Sequence, residues 1–145
     1  MTPLLDVNVL VSLAWPNHVH HAPAQRWFGK RGRSPWATTP FTEGGFVRVS
    51  SNGAAVPTAV TPSEALLLLA RLRDVRGHTF LPDDVELVLG DRQVDPHRVV
   101  SHRSVSDALL LALARRHGAR LATFDRGMKA LAGAAGDDIA LIPTS

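Results

Sequence analysis

The chain reads as a single α/β domain built on a largely parallel sheet. Three observations predict it: short apolar runs alternate with helical segments, an aspartate closes the first run, and another closes a late one. The length of 145 residues, 15.6 kDa, suits one substantial core and is short for two ordinary domains, so residues 1–145 are expected to fold as one unit.

Pro3 to Asp6 has the character of a buried strand, and Asn8 to Trp15 begins a short helix that Pro16-Asn17-His18 breaks. Ala22 to Lys30 places Ala24, Trp27 and Phe28 at helical spacing, with Gly29 and Gly32 weakening its end. Pro35 to Thr38 is a second short strand leading into a helix around Thr39-Pro40-Phe41-Thr42-Glu43, with Phe46, Val47 and Val49 as its apolar surface.

After a loop from Ser50 to Pro57, Thr61-Pro62-Ser63-Glu64 is a helix start: a capping threonine, proline in the first turn, and glutamate three residues after the cap. That helix continues to Gly77. Thr79 to Leu81 is a strand, and Asp83 is placed to cap a helix containing Val85 to Leu89. Ser104 to His117 is helical and stopped by Gly118. Arg120 to Phe124 is a strand, Arg126 to Leu131 a short helix, and Ile139 to Ile142 a final strand.

Composition narrows the chemistry. The formal charge is +3, with 16 Lys plus Arg, almost all arginine, against 13 Asp plus Glu; that fork of donors suits phosphates and protein carboxylates alike. Zero cysteines exclude disulfides, thiolate zinc sites and a cysteine nucleophile. The first apolar run carries Asp6 and Asn8 with no preceding basic segment, which fits a signal peptide poorly, and Leu66 to Ala70 is far too short to span a bilayer. A cytoplasmic protein with no membrane association is the expectation.

The acids are the informative residues. A carboxylate among branched apolar neighbours, as at Asp6, needs strong hydrogen bonds, a cation or an altered protonation state. Asp6 and Asp125 fall at predicted strand ends, and Glu43 and Asp107 near helix starts that can open on the same crevice, where open α/β sheets carry their sites. Each has an ordinary reading too. Asp6 and Asp125 can cap the helices that follow, Glu43 can be a first-turn acid, and Asp107 can close a capping box begun at Ser104.

Taken together, Leu4-Leu5-Asp6-Val7-Asn8, Thr38-Thr39-Pro40-Phe41-Thr42-Glu43 with Phe46-Val47-Arg48, Asp107-Ala108-Leu109-Leu110 and Ala122-Thr123-Phe124-Asp125 resemble the PIN-domain family, particularly its ribonuclease toxins of VapC type. The resemblance spans nearly the whole chain. It implies a three-layer α/β/α sandwich with a mainly parallel sheet. It also implies an acidic Mg2+ or Mn2+ site at Asp6, Glu43, Asp107 and Asp125, with Thr123 at its edge reaching the scissile phosphate. Asp6, Asp107 and Glu43 are the preferred metal ligands, and Asp125 completes a second metal position or orients water. The implied activity is endoribonuclease cleavage leaving a 5′-phosphate and a 3′-hydroxyl. The implied partners are a structured RNA, a cognate antitoxin and a second copy of the chain in a homodimer. Gly44-Gly45, which loosen the helix after Glu43, are the departure to watch.

Other chemistries remain open at this point. Arg26, Lys30, Arg31 and Arg33 form one candidate phosphate track, and Arg98, His102 and Arg103 another. Trp15, Trp27 and Trp36 suit base stacking or core packing. His18, His20 and His21 invite zinc but lack a second cluster of structural-zinc spacing. No glycine-rich dinucleotide fingerprint or Walker segment is present. A haloacid-dehalogenase-type phosphatase could use Asp6 as nucleophile, though Asn8 replaces the second acid it would need. A non-catalytic RNA- or protein-binding module, its acids mostly caps, is the remaining alternative.

Overall fold

The computed structural model describes residues 1–87, 94–133 and 136–144. Its sheet has five strands, β1 (Pro3–Leu5), β2 (Trp36–Thr38), β3 (His78–Phe80), β4 (Arg120–Thr123) and β5 (Ile139–Leu141). Every pairing is parallel and the order is β3-β2-β1-β4-β5. The chain therefore builds outward from β1 on one side and then crosses to add β4 and β5 on the other. The junction of β1 with β4 is the switch point of the topology, where a crevice opens beyond the strand ends.

Six α-helices accompany these strands among the described residues: α1 (Val7–Ala14), α2 (His21–Lys30), α3 (Pro40–Ser50), α4 (Pro62–Arg73), α5 (Val105–Arg116) and α6 (Met128–Ala132). Successive strand residues point to opposite faces, and both faces are covered. Leu4 and Leu121 pack in one core with Ala108, Leu111, Met128 and Leu131 of α5 and α6. Their neighbours Leu5 and Ala122 pack in a second core with Val9, Leu10, Ala24, Phe46 and Leu69 of α1 to α4. Two apolar layers, one on each side of the sheet, give the α/β/α sandwich.

Local chemistry explains the boundaries. Thr61 and Glu64 form the expected capping box, Glu64 N–H donating to Thr61 Oγ1 at 3.1 Å and Thr61 N–H to Glu64 Oε1 at 3.2 Å. Thr39 and Thr42 form another ahead of Pro40, which starts α3. Trp15, Trp27 and Trp36 contribute to the second core, so they serve packing.

Three expectations are corrected. No helix forms over 85–87; residues 88 and 89 lie outside the described residues. Asp84 instead pairs with Arg116 and His117, holding this segment in an irregular path beside α5. Asp107 has no capping box with Ser104; Ser101 and Ser104 cap each other in the 3₁₀ turn His102–Ser104 that precedes α5. Gly44 and Gly45 do not loosen α3, which runs unbroken to Ser50. A Cβ on Gly45 would lie 2.5 Å from Val7 Cγ2, so this glycine lets α3 approach the start of α1.

Candidate active site

The carboxyl edge of the sheet gathers the candidate residues through its register. Leu5 pairs with Ala122, so one step further sets Asp6 level with Thr123, and Leu4 pairs with Ala37, so two steps further set Asp6 level with Thr39. Asp6 is the N-cap of α1, its Oδ1 accepting from Val7 N–H at 2.7 Å. Its other oxygen accepts from Thr123 Oγ1 at 2.8 Å. The capping and site readings of Asp6 are thus one arrangement: a carboxylate used as a cap by one oxygen and fixed toward the crevice by the other.

Thr123 is buried, and its hydroxyl also accepts from Asp125 N–H at 3.0 Å. Its single proton is therefore committed to Asp6 and not directed outward to a phosphate. Asp125 Oδ1 accepts from Gly127 N–H at 2.8 Å, which holds the exposed carboxylate in the turn before α6.

Asp107 stands in the first turn of α5, and its carboxyl is pushed up to about 6 by burial, then by the charges of Asp6 and Asp125. Asp6 is also raised above the ordinary carboxylate value. Burial is the main cause, opposed by the Thr123 and Val7 hydrogen bonds and reinforced by the charge of Asp125. Burial and like charge both disfavour ionisation. The structure therefore brings Asp6, Asp107 and Asp125 into one field of mutual repulsion.

Glu43 occupies the neighbouring stretch of the same edge, in the first turn of α3 beyond β2. Its Oε2 accepts from Thr38 Oγ1 at 2.5 Å and its Oε1 pairs with Arg73 Nη1 at 3.3 Å. Thr38 in turn meets His78 Nε2 at 2.7 Å. The His78 imidazole is held below its ordinary value by burial and then by Arg73, with Glu43 acting in the opposite sense. The sequence shows Thr38 only as part of the Thr38–Glu43 motif and does not single out His78, because their relation to Glu43 depends on the pairing of β2 with β3.

The donor set suits a hard divalent cation, since every candidate ligand is a carboxylate oxygen. Burial, the main cause that raises Asp6 and Asp107, and the like charges that add to it both disfavour the ionised carboxylates, and a bound cation would offset both. Among the described residues, no three His, Asp or Glu side chains form a closed cluster for a metal ion. Asp6, Glu43, Asp107 and Asp125 are the carboxylates at this edge that could hold such a cation.

The basic groups divide between the two ends of the sheet. Arg31 packs over Phe28, 4.2 Å from the ring centroid, and lines a cavity of about 540 Å3 with Met1, Thr2 and Pro3, at the edge opposite Asp6. Arg26, Lys30 and Arg33 are exposed. His102 and Arg103 are exposed in the turn that leads to Asp107. Arg98 lies against Gly133 and donates to the Ala130 carbonyl at 3.2 Å. The histidines have structural partners: His18 Nδ1 accepts from His20 N–H at 3.0 Å, His20 stacks on Phe124 at 4.6 Å, and His21 Nδ1 bonds the Ser12 carbonyl at 2.7 Å.

Residues 4–134 match the family model described as PIN domain. The chain is 53% identical over 128 residues to Ribonuclease VapC39 of Mycobacterium tuberculosis, covering 88% of this chain and 91% of that protein. It is 51% identical over 129 residues to Ribonuclease VapC38 of the same organism, covering 89% of each. Ribonuclease VapC29 is 38% identical over 145 residues, which is 100% of this chain and 99% of that protein.

Proposed function

Since the chain belongs to the PIN-domain family, with VapC ribonucleases among its relatives, we propose that it is a divalent-metal-dependent endoribonuclease toxin held in check by a cognate antitoxin. The observation that carries this reading is the placement of Asp6, Asp107 and Asp125 in one repulsive field at the switch point of a parallel sheet.

Asp6, Asp107 and Glu43 are the proposed ligands of Mg2+ or Mn2+. When bound, such an ion neutralises phosphate charge and makes water more acidic. The chain's own contribution is orientation. Thr123 and the Val7 amide fix both Asp6 oxygens before substrate arrives, so little reorganisation accompanies cation binding. Asp125, exposed just beyond β4, is the proposed residue to complete a second metal position or to orient the attacking water. Attack forms a phosphorus–oxygen bond and breaks the bond to the 3′ oxygen, which takes a proton, leaving a 5′-phosphate and a 3′-hydroxyl. His102 and Arg103 are the proposed phosphate contacts, since they border Asp107.

For the antitoxin, the supporting feature is an apolar groove of about 620 Å3 along α3 and α4, lined by Val47, Leu66, Leu69 and Phe80 and containing Glu43 and Arg73. Leu66 and Leu67 are 55% and 66% exposed, an unusual state for leucines on a helix of this domain. An amphipathic antitoxin helix suits that groove, with a basic side chain reaching the acids. Homodimerisation and a cytoplasmic location complete the reading; among the described residues no helix is long and apolar enough to cross a membrane.

Antitoxin-free protein should cleave members of a panel of structured RNAs in Mg2+ or Mn2+ and stop on addition of EDTA. Equal cleavage in metal-free buffer overturns the metal-dependent mechanism.

A further inference from the structure

We propose that Thr38 and His78 are positioning residues that aim the Glu43 carboxylate, through a directional relay running from the His78 imidazole to the Thr38 hydroxyl to Glu43. The proposal rests on the metal-site reading above. It assigns a role to two residues outside the acidic set.

The direction follows from proton counting. Thr38 Oγ1 has one proton, and it goes to Glu43 Oε2 at 2.5 Å. Toward His78 Nε2, 2.7 Å away, the hydroxyl can only accept, so Nε2 carries the hydrogen. Each member is fixed independently. Thr38 is fully buried at the end of β2 and its carbonyl accepts from Leu81 N–H at 2.8 Å. His78 lies on β3 in register with Trp36, whose ring meets the imidazole edge-on at 4.9 Å. Trp36 is itself buried and donates from Nε1 to the Arg76 carbonyl at 3.2 Å.

The two Glu43 oxygens are held differently. Oε1 faces Arg73, a half-exposed side chain lying over Phe80 at 5.2 Å, and this contact must yield if a cation takes that oxygen. Oε2 faces a buried donor with no freedom to leave. The relay therefore fixes the plane of the carboxylate through Oε2, so that Oε1, held by the half-exposed Arg73, would be the oxygen offered to a cation. The short edge strand β3 then serves the site by bringing His78 to Thr38.

The test is calorimetric titration of Mn2+ into the metal-stripped full chain, with thermal melts to verify folding. His78→Leu and Thr38→Val should each weaken Mn2+ binding about 10-fold, the low end for loss of a residue that orients a metal ligand. His78→Gln, which keeps an N–H donor, and Thr38→Ser, which keeps the hydroxyl, should bind within about 3-fold of the parent, since the orienting bond survives. Because His78 acts through Thr38, the double variant Thr38→Val with His78→Leu should bind no worse than Thr38→Val alone. Parent-like affinity in folded His78→Leu, additive losses in the double variant, or no rescue by Gln and Ser would overturn the relay alone. Failure of the parent to bind Mn2+ would overturn the metal-site reading, and the relay with it.

Discussion

The Thr123 hydroxyl donates to Asp6 Oδ2 at 2.8 Å while accepting from the backbone N–H of Asp125 at 3.0 Å, so one buried side chain ties together two acids 119 positions apart in the sequence. Thr123→Val keeps the shape, leaves the Asp125 amide without its acceptor and frees one Asp6 oxygen. RNA cleavage should fall roughly 10-fold or more, with stability lowered by about 1–3 kcal/mol. Thr123→Ser should restore most of the activity. Turnover of the Val variant equal to the parent's would show that Asp6 needs no such support.

Asp6→Asn should reduce cleavage by about 100-fold or more while RNA association persists, because the amide keeps the size but loses the charge that holds a divalent cation. Single-turnover cleavage and RNA binding on the same folded preparation separate the two effects. Near-parent turnover at limiting Mg2+ would remove Asp6 from the metal site.

Asp107 makes the metal-free protein sensitive to pH. Its folded-state value near 6 lies above the ordinary 3.8, so the native state holds this proton more tightly than the unfolded chain. Stability of the metal-free protein should therefore fall as pH rises from about 4 to about 6 and then level off with respect to this group. The full difference would correspond to about 3 kcal/mol, which solvent screening at a partly exposed carboxyl reduces to about 1 kcal/mol, or roughly 3 °C in Tm. In metal-free buffer at pH 7.5 or so, Asp107→Asn should melt higher than the parent by about that amount, and the difference should vanish near pH 4. Melting curves that shift in parallel at both pH values would contradict the assignment.

The adjacent glycines of α3 should respond oppositely to alanine. A Cβ at Gly44 meets nothing within 4 Å, so Gly44→Ala should add about 0.5–1 kcal/mol through helix propensity and a less flexible unfolded chain. Gly45→Ala would press on Val7, next to Asp6, and overpacking of about 1–3 kcal/mol outweighs the propensity gain. It should lower both stability and cleavage. Equal stabilisation by the two substitutions would show that α1 and α3 have room to part.

The sequence by itself determined the alternation of strands and helices, the cap at Thr61, and the four acids as the residues to watch. These were legible because strand burial, capping and turn formation depend on neighbours within a few positions. It did not determine the strand order, which sets Asp6 beside Thr123 at the crossing from β1 to β4. Nor did it determine that Glu43 answers to Thr38, His78 and Arg73, or that Gly45 is a contact and not a weakness. Asp83 and the residues after it carried a helical signal locally, yet the ion pairs of Asp84 with Arg116 and His117 accompany an irregular path there. Such relations join side chains from distant segments, and only the assembled sheet brings those segments within hydrogen-bond reach.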